Sequence, residues 1–142
     1  MKPVSEFWLG LKRMADITET GKWELHVNVQ DFDGKNWNAV YKNFKIHKEG
    51  PYMLEVSEFD PESTLKDYLK DNDGHAFSTS DADNDSDSDE NCALDRKGAW
   101  WYYACSWSNL NGYNYNTPGS EYSGIYWYPK NFAMTEMKIR RI

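Results

Sequence analysis

The chain has 142 residues and a mass of 16.7 kDa, enough for one domain and too short for two independent cores. A formal net charge of −7 and a pI near 4.9 disfavour general binding to phosphate backbones. No apolar run approaches the roughly 20 residues of a membrane span, and the opening MKPVSEFWLG lacks the apolar middle of a signal peptide. A mean hydropathy of −0.88 suits a disordered chain, yet 16% of the residues are Phe, Trp or Tyr, which a solvated chain has no reason to carry. The composition therefore predicts a fold built around aromatic rings.

In chain order, Leu11, Met14, Ala15 and Ile17 share one face of a short helix that Thr20-Gly21 would end. Leu25, Val27 and Val29 alternate with His26, Asn28 and Gln30, the period of a strand with one buried face. Asp33-Gly34 supplies a hairpin turn, and residues 36–47 pair back as the next strand. Pro51 to Val56 reads as a third strand, and Asp60-Pro61-Glu62 as the cap of a short helix reaching Leu69. Thr135, Met137 and Ile139 alternate with Glu136, Lys138 and Arg140 in a last strand. A helix, antiparallel strands, long loops and a returning strand make an α+β domain.

Two segments between these elements are unusual. Residues 81–90 (DADNDSDSDE) hold six acids and no base, so most of the net charge belongs to one loop. From Trp100 to Tyr128 there are 11 aromatics in 29 positions, interleaved with Gly, Asn and Ser, the composition of a loop-built binding surface.

Asp81, Asp83, Asp85, Asp87 and Asp89 at every second position form either a solvated acidic loop or a cage for a hard cation such as calcium, which takes 6 to 8 oxygens. Counted from Asp81, the sixth residue is Ser86 and the twelfth Cys92, which excludes an EF-hand. Asn84-Asp85-Ser86 fits a glycosylation sequon, but a glycan there would hang between two candidate ligands. Cys92 and Cys105 are either a disulfide or two buried thiols, the even count in a loop-rich region favouring the first. A disulfide would imply an oxidising compartment, and with no leader visible the chain would be a fragment or a processed product.

Trp100, Trp101 and Tyr102, beside Gly98-Ala99, read as core; Trp107, Tyr113, Tyr115 and Tyr122, among polar small residues, are candidates for stacking on sugar faces or acetyl methyls. Arg96 would pair with an acidic ligand such as sialate or sulfate, or neutralise Asp95 or the acidic loop. His26, His47 and His75 have no spacing that makes a zinc set or a catalytic triad. Without a GxSxG, an HExxH or a phosphate-cradling glycine loop, enzymatic activity is not expected.

The blocks EFWLGL (6–11), WELHV (23–27), DFDG (31–34), FSTSDADND (77–85), NCA (91–93), GAWWYYAC (98–105), SNLNG (108–112) and EMKIR (136–140) together resemble the C-terminal two thirds of a fibrinogen-like domain. That module occurs in fibrinogen chains, ficolins, tachylectins and angiopoietins. The resemblance implies a sheet subdomain over about 6–75, a loop subdomain over about 76–133 and a returning strand at 134–142. It implies calcium held by the side chains of Asp83 and Asp85 and the main-chain carbonyls of Asp87 and Asp89. It further implies a Cys92–Cys105 disulfide and a cis peptide at Ala104-Cys105, which in lectin-like members turns main-chain N–H groups toward an acetyl group.

Carried over by position, Tyr122 falls on a pocket tyrosine. Arg96 stands where acetyl-binding members have tyrosine, Ser106 stands where histidine is common, and the stretch after Trp127 is about five residues short, leaving Tyr128 or Phe132 to wall the pocket. The implied function is that of a secreted, extracellular, non-enzymatic domain. It would bind glycans or acetylated groups in an innate-immune or agglutinating role, or else a protein partner as an adhesion or signalling module. The resemblance also implies an oligomer in the full-length protein.

Overall fold

A computed structural model describes residues 7–142, so the opening MKPVS and Glu6, the first residue of the EFWLGL block, lie outside the described residues. The helix expected near the start is α1 (Leu11–Thr18), which buries Met14, Ala15 and Thr18. Thr18 finishes it by bonding inward: its hydroxyl donates to the Met14 carbonyl at 2.8 Å and accepts the Ile46 N–H at 3.1 Å, tying the helix to a strand.

That strand, β2 (Asn36–Ile46), pairs antiparallel with β1 (Trp23–Gln30) across the turn at Gly34, whose φ of 84° a glycine adopts without strain. β1 also pairs antiparallel with β7 (Met134–Arg141), from Trp23 opposite Arg141 to Gln30 opposite Met134. With β3 (Leu54–Phe59) against β2, the sheet order is β3-β2-β1-β7. The period-2 reading holds: Leu25, Val27 and Val29 are buried, and Met137 and Ile139 on β7 pack on the same core.

Two expectations fail locally. The third strand begins at Leu54 rather than Pro51, because Glu49–Tyr52 forms a kinked turn, α2, in which Gly50 has φ 93° and Tyr52 φ 53°. No helix forms between Asp60 and Leu69. Instead, the Asn38 and Val40 N–H groups donate to the Thr64 and Ser63 hydroxyls, and the Leu65 N–H donates to the Asn38 carbonyl at 2.8 Å. The segment lies along β2 and satisfies that strand's free edge, a tertiary demand that overrides local helix signals.

The long region between β3 and β7 carries short elements: α3 (Cys92–Asp95), then β4 (Ser108–Asn109), β5 (Tyr126–Trp127) and β6 (Lys130–Asn131) in a small antiparallel sheet, β4-β5-β6. Its core is aromatic. Trp100, Trp101, Tyr102 and Trp127 are fully buried, in the same cluster as the sheet's Leu25, Phe44 and Leu54. The indole N–H groups of these three tryptophans find acceptors, Trp100 at the Ser108 hydroxyl, Trp101 at the Tyr52 carbonyl and Trp127 at the Lys66 carbonyl. The rings thus fill the interior and also fasten loops to it. No helix among the described residues is long and apolar enough to cross a membrane.

Candidate functional site

The acidic loop curls by successive turns in which an aspartate accepts the N–H two residues on: Asp83 from Asp85 at 3.3 Å, Asp85 from Asp87 at 2.9 Å, and Asp87 from Asp89 at 3.0 Å. The second oxygen of Asp85 accepts the Cys92 N–H at 2.8 Å, joining the loop to α3. Asn91 caps that helix, its side chain accepting the Leu94 N–H at 3.1 Å. Burial, first, and the neighbouring Asp83 carboxylate push the Asp85 carboxyl above its ordinary pKa. Asp83 and Asp85 therefore crowd their charges, which suits a hard divalent cation. The Asp87 carboxylate faces Sγ of Cys92 and Cys105 instead, which leaves its main-chain oxygen as the donor it could offer such an ion. Asn84 spends its side-chain N–H groups on the Phe77 and Ala82 carbonyls, a poor disposition for a glycan acceptor.

Cys92 and Cys105 form a disulfide, and the Ala104-Cys105 peptide is cis. The Tyr103 carbonyl beyond it accepts the Ser86 N–H at 3.0 Å, a second tie between the acidic loop and the aromatic segment. Of the residues around this peptide, Ala104 is exposed, while Cys105 and Ser106 are buried. The Ser106 hydroxyl accepts from Asn72 and from the Ser108 N–H, so it is part of the support behind the peptide.

Arg96 is half-buried against this face. Its Nη1 donates to the Ser106 carbonyl at 3.1 Å and its Cζ lies 4.8 Å from the centre of the Tyr122 ring. Tyr122, more than half exposed, stands edge-on to Tyr126 at 5.2 Å. Burial first, then the neighbouring Tyr122 and Tyr128 phenols, push the Tyr126 hydroxyl up to about 12. Beyond Tyr126 lie Tyr68, Trp107 and Tyr128, with Trp107 and Tyr128 edge-to-face at 4.9 Å and both about two-fifths exposed. Phe132 is buried, so of the two residues considered as a wall only Tyr128 stands at the surface.

Two buried asparagines hold this face. Asn109 accepts the Tyr102 hydroxyl and donates to the carbonyls of Arg96, Tyr122 and Gly124; Asn131 accepts the Glu121 N–H and donates to the carbonyls of Glu121 and Ile125. Gly112 permits the approach: a Cβ there would lie 2.1 Å from the Gly124 carbonyl oxygen. The sequence reading named Arg96, Ser106, Trp107 and Tyr122, and the structure places them on or behind one face. It missed Tyr68, Tyr126 and Asn72, which reach the site from other segments and carry no motif.

A twisted antiparallel sheet joined to a loop subdomain with this disulfide and aromatic face defines a fibrinogen-like globe. Residues 2–142 match the family model described as the C-terminal globular domain of fibrinogen beta and gamma chains, and the chain belongs to that family. It is similar to human ficolin-3, 42% identical over 125 residues covering 87% of this chain and 41% of that protein. It is also similar to mouse fibrinogen C domain-containing protein 1, 36% identical over 153 residues covering 99% of this chain and 33% of that protein.

The chain thus spans less than half the length of these relatives. Among solved structures, the fibrinogen-like globe domain of human ANGPTL6 superposes with a TM-score of 0.87 at 33% identity, covering all of this chain and 67% of that one. Lamprey fibrin D-dimer, complexed with the peptide Gly-His-Arg-Pro-amide, gives 0.77 at 26% identity, covering 96% and 50%. Fibrinogen-like domains are non-enzymatic recognition modules, and this chain is one of them.

Proposed function

We propose that the chain is a secreted, extracellular, calcium-dependent recognition domain that binds glycans or acetylated surface groups in an innate-immune or agglutinating role. The observation that carries this reading is the exposed aromatic face of Tyr122, Trp107 and Tyr128, in which Trp107 follows the cis Ala104-Cys105 peptide by two residues. Flat rings at a polar surface suit sugar C–H faces and acetyl methyls, and nearby loop amides suit their oxygens. The similarity to ficolin-3 supports a lectin-like ligand, and the disulfide supports an oxidising compartment.

In this reading the sheet half, about 6–75, with the returning strand at 134–142, is the frame. The loop half, about 76–133, is the working part. The side chains of Asp83 and Asp85 and the main-chain carbonyls of Asp87 and Asp89 would hold calcium, whose chemistry is charge compensation within the loop. The chain's own part is to transmit that order: Asp85 holds the Cys92 N–H, the disulfide holds Cys105, and the Tyr103 carbonyl holds Ser86. A site ordered before the ligand arrives loses less entropy on binding. In the full-length protein, clustering of several copies would add avidity.

A second reading is an adhesion or signalling module that binds an extracellular protein. The same exposed rings favour it, as does the similarity to angiopoietin-like globes. Retention on an N-acetylglucosamine resin, with calcium and with EDTA, tests the first reading. Calcium-dependent retention released by free acetate is expected; a cooperatively folded protein that is never retained overturns it in favour of a protein partner.

A further inference from the structure

Arg96 is held at both ends of its backbone. Its N–H donates to the Cys92 carbonyl at 2.7 Å, and its carbonyl accepts from Asn109 at 2.8 Å. The side chain is therefore aimed by a disulfide-linked turn on one side and by the buried asparagine on the other. It lies along Tyr122 and is only 14% exposed.

A guanidinium so covered ordinarily has its five N–H groups matched, often in a two-pronged pair with a carboxylate. Here it has one hydrogen-bond acceptor among the described residues, the Ser106 carbonyl. Nε is buried with no acceptor, and the nearest carboxylate oxygen, on the exposed Asp95, is 3.7 Å from it, beyond a hydrogen bond. The adjoining Lys97 repeats the arrangement in looser form, its ammonium 5.7 Å from the Tyr113 ring centre and 5.5 Å from that of Tyr115. Two consecutive cations thus rest against tyrosine rings, in a molecule whose net charge is negative.

We propose that Arg96 is the residue that selects the ligand, pairing with an anionic group, a carboxylate or a sulfate, carried on a sugar that stacks on Tyr122. This rests on the glycan-binding reading above and narrows it to acidic glycans. Its basis is an underpaired guanidinium: it has lost most of its water and kept one hydrogen-bond acceptor and a long ion pair with the exposed Asp95, and an incoming anion supplies the missing acceptors. The Tyr122 ring alongside restricts the guanidinium, and Lys97 extends the attraction over the neighbouring face. An acetyl group offers a single carbonyl oxygen and leaves most of that deficit in place.

The test measures binding of the full chain, in calcium, to three probes: N-acetylglucosamine, its sulfated form and sialyllactose. The wild type is expected to favour at least one charged probe by about 10- to 100-fold over the neutral sugar, the range of a charge-assisted hydrogen bond. Sulfated sugar alone, or sialyllactose alone, identifies the sulfate or the carboxylate as the preferred anion. R96Q should abolish that preference in a protein that still melts cooperatively, and R96K should keep part of it, with a stronger dependence on salt. Equal affinity for the neutral and charged probes, or a preference that survives R96Q, overturns the assignment to Arg96 and leaves glycan recognition standing. Binding to none of the three by a protein that still melts cooperatively overturns both.

Discussion

Asn72 and Ser106, 34 residues apart in sequence, meet in the interior: Asn72 Nδ2 donates to the Ser106 hydroxyl and to the Trp101 carbonyl, both at 2.9 Å. Asn72 is fully buried, so the sheet side of the molecule reaches the back of the recognition face through one amide. Asn72→Ala removes both bonds and takes the side-chain donor from the buried Trp101's carbonyl, while the Ser106 hydroxyl keeps the Ser108 N–H. It is expected to cost about 1–3 kcal/mol in urea denaturation and to weaken ligand binding, although Asn72 touches no ligand. Unchanged stability would remove Asn72 from the supporting network.

Calcium removal separates the two roles of the acidic loop. If Asp83 and Asp85 hold the ion, a hundredfold excess over Kd stabilises the fold by about 2.7 kcal/mol, on the order of 10 °C in Tm. EDTA should lower the midpoint by such an amount in the wild type and leave Asp83→Ala unmoved. A wild-type melt insensitive to EDTA would sink the metal assignment.

The Cys92–Cys105 disulfide closes a loop with a sequence separation of 13. In the chain-entropy account a loop near that length is worth about 3 kcal/mol. Replacing both cysteines by alanine should therefore lower unfolding stability by roughly that amount and, because the bond joins the acidic loop to the aromatic segment, weaken calcium affinity as well. Calcium affinity equal to the wild type's would show that the loop is ordered without the bond.

Asp31 gives the protein an acid-sensitive anchor. Its carboxylate accepts the Trp37 indole N–H at 3.1 Å, the Lys35 and Asp33 main-chain N–H groups, and the Lys130 ammonium at 3.3 Å. The indole bond leads, with the Lys35 N–H and the ammonium behind it, in lowering its pKa to about 2 from the ordinary 3.8. A depressed carboxyl pKa favours the fold above the ordinary value, and that contribution is lost as pH falls through about 2. Asp31→Asn should accordingly be less stable than the wild type at neutral pH and lose less stability between about pH 4 and 2. Parallel acid-denaturation curves would refute this.

What was legible in the sequence is what local pattern controls. Alternation at Leu25, Val27 and Val29 marked a strand because one face of β1 meets the core, and Asp33-Gly34 marked the hairpin because the turn needs a positive φ. Asp60–Leu69 misled because its hydroxyls serve the edge of β2, a partner more than 20 residues away in sequence. The even cysteine count in a loop-rich region pointed to the Cys92–Cys105 disulfide. Tyr68 and Tyr126 went unnoticed because an aromatic in a loop looks alike whether it lines a surface or fills a core. Asn109 and Asn131 were equally silent, since an asparagine that organises several carbonyls carries no periodic signal.

The pairing of β1 with β7 also sets an order of events during synthesis. β1 and β2 can form their hairpin early, but the other edge of β1, from Trp23 to Gln30, stays unpaired until Met134–Arg141 has left the ribosome. During that interval the nascent chain carries an open strand edge and indoles not yet packed, the combination that invites association between neighbouring chains. Contacts this distant in sequence also make folding slow. Recovery of soluble protein should therefore depend more on the time allowed for β7 to dock than on any property of the aromatic face.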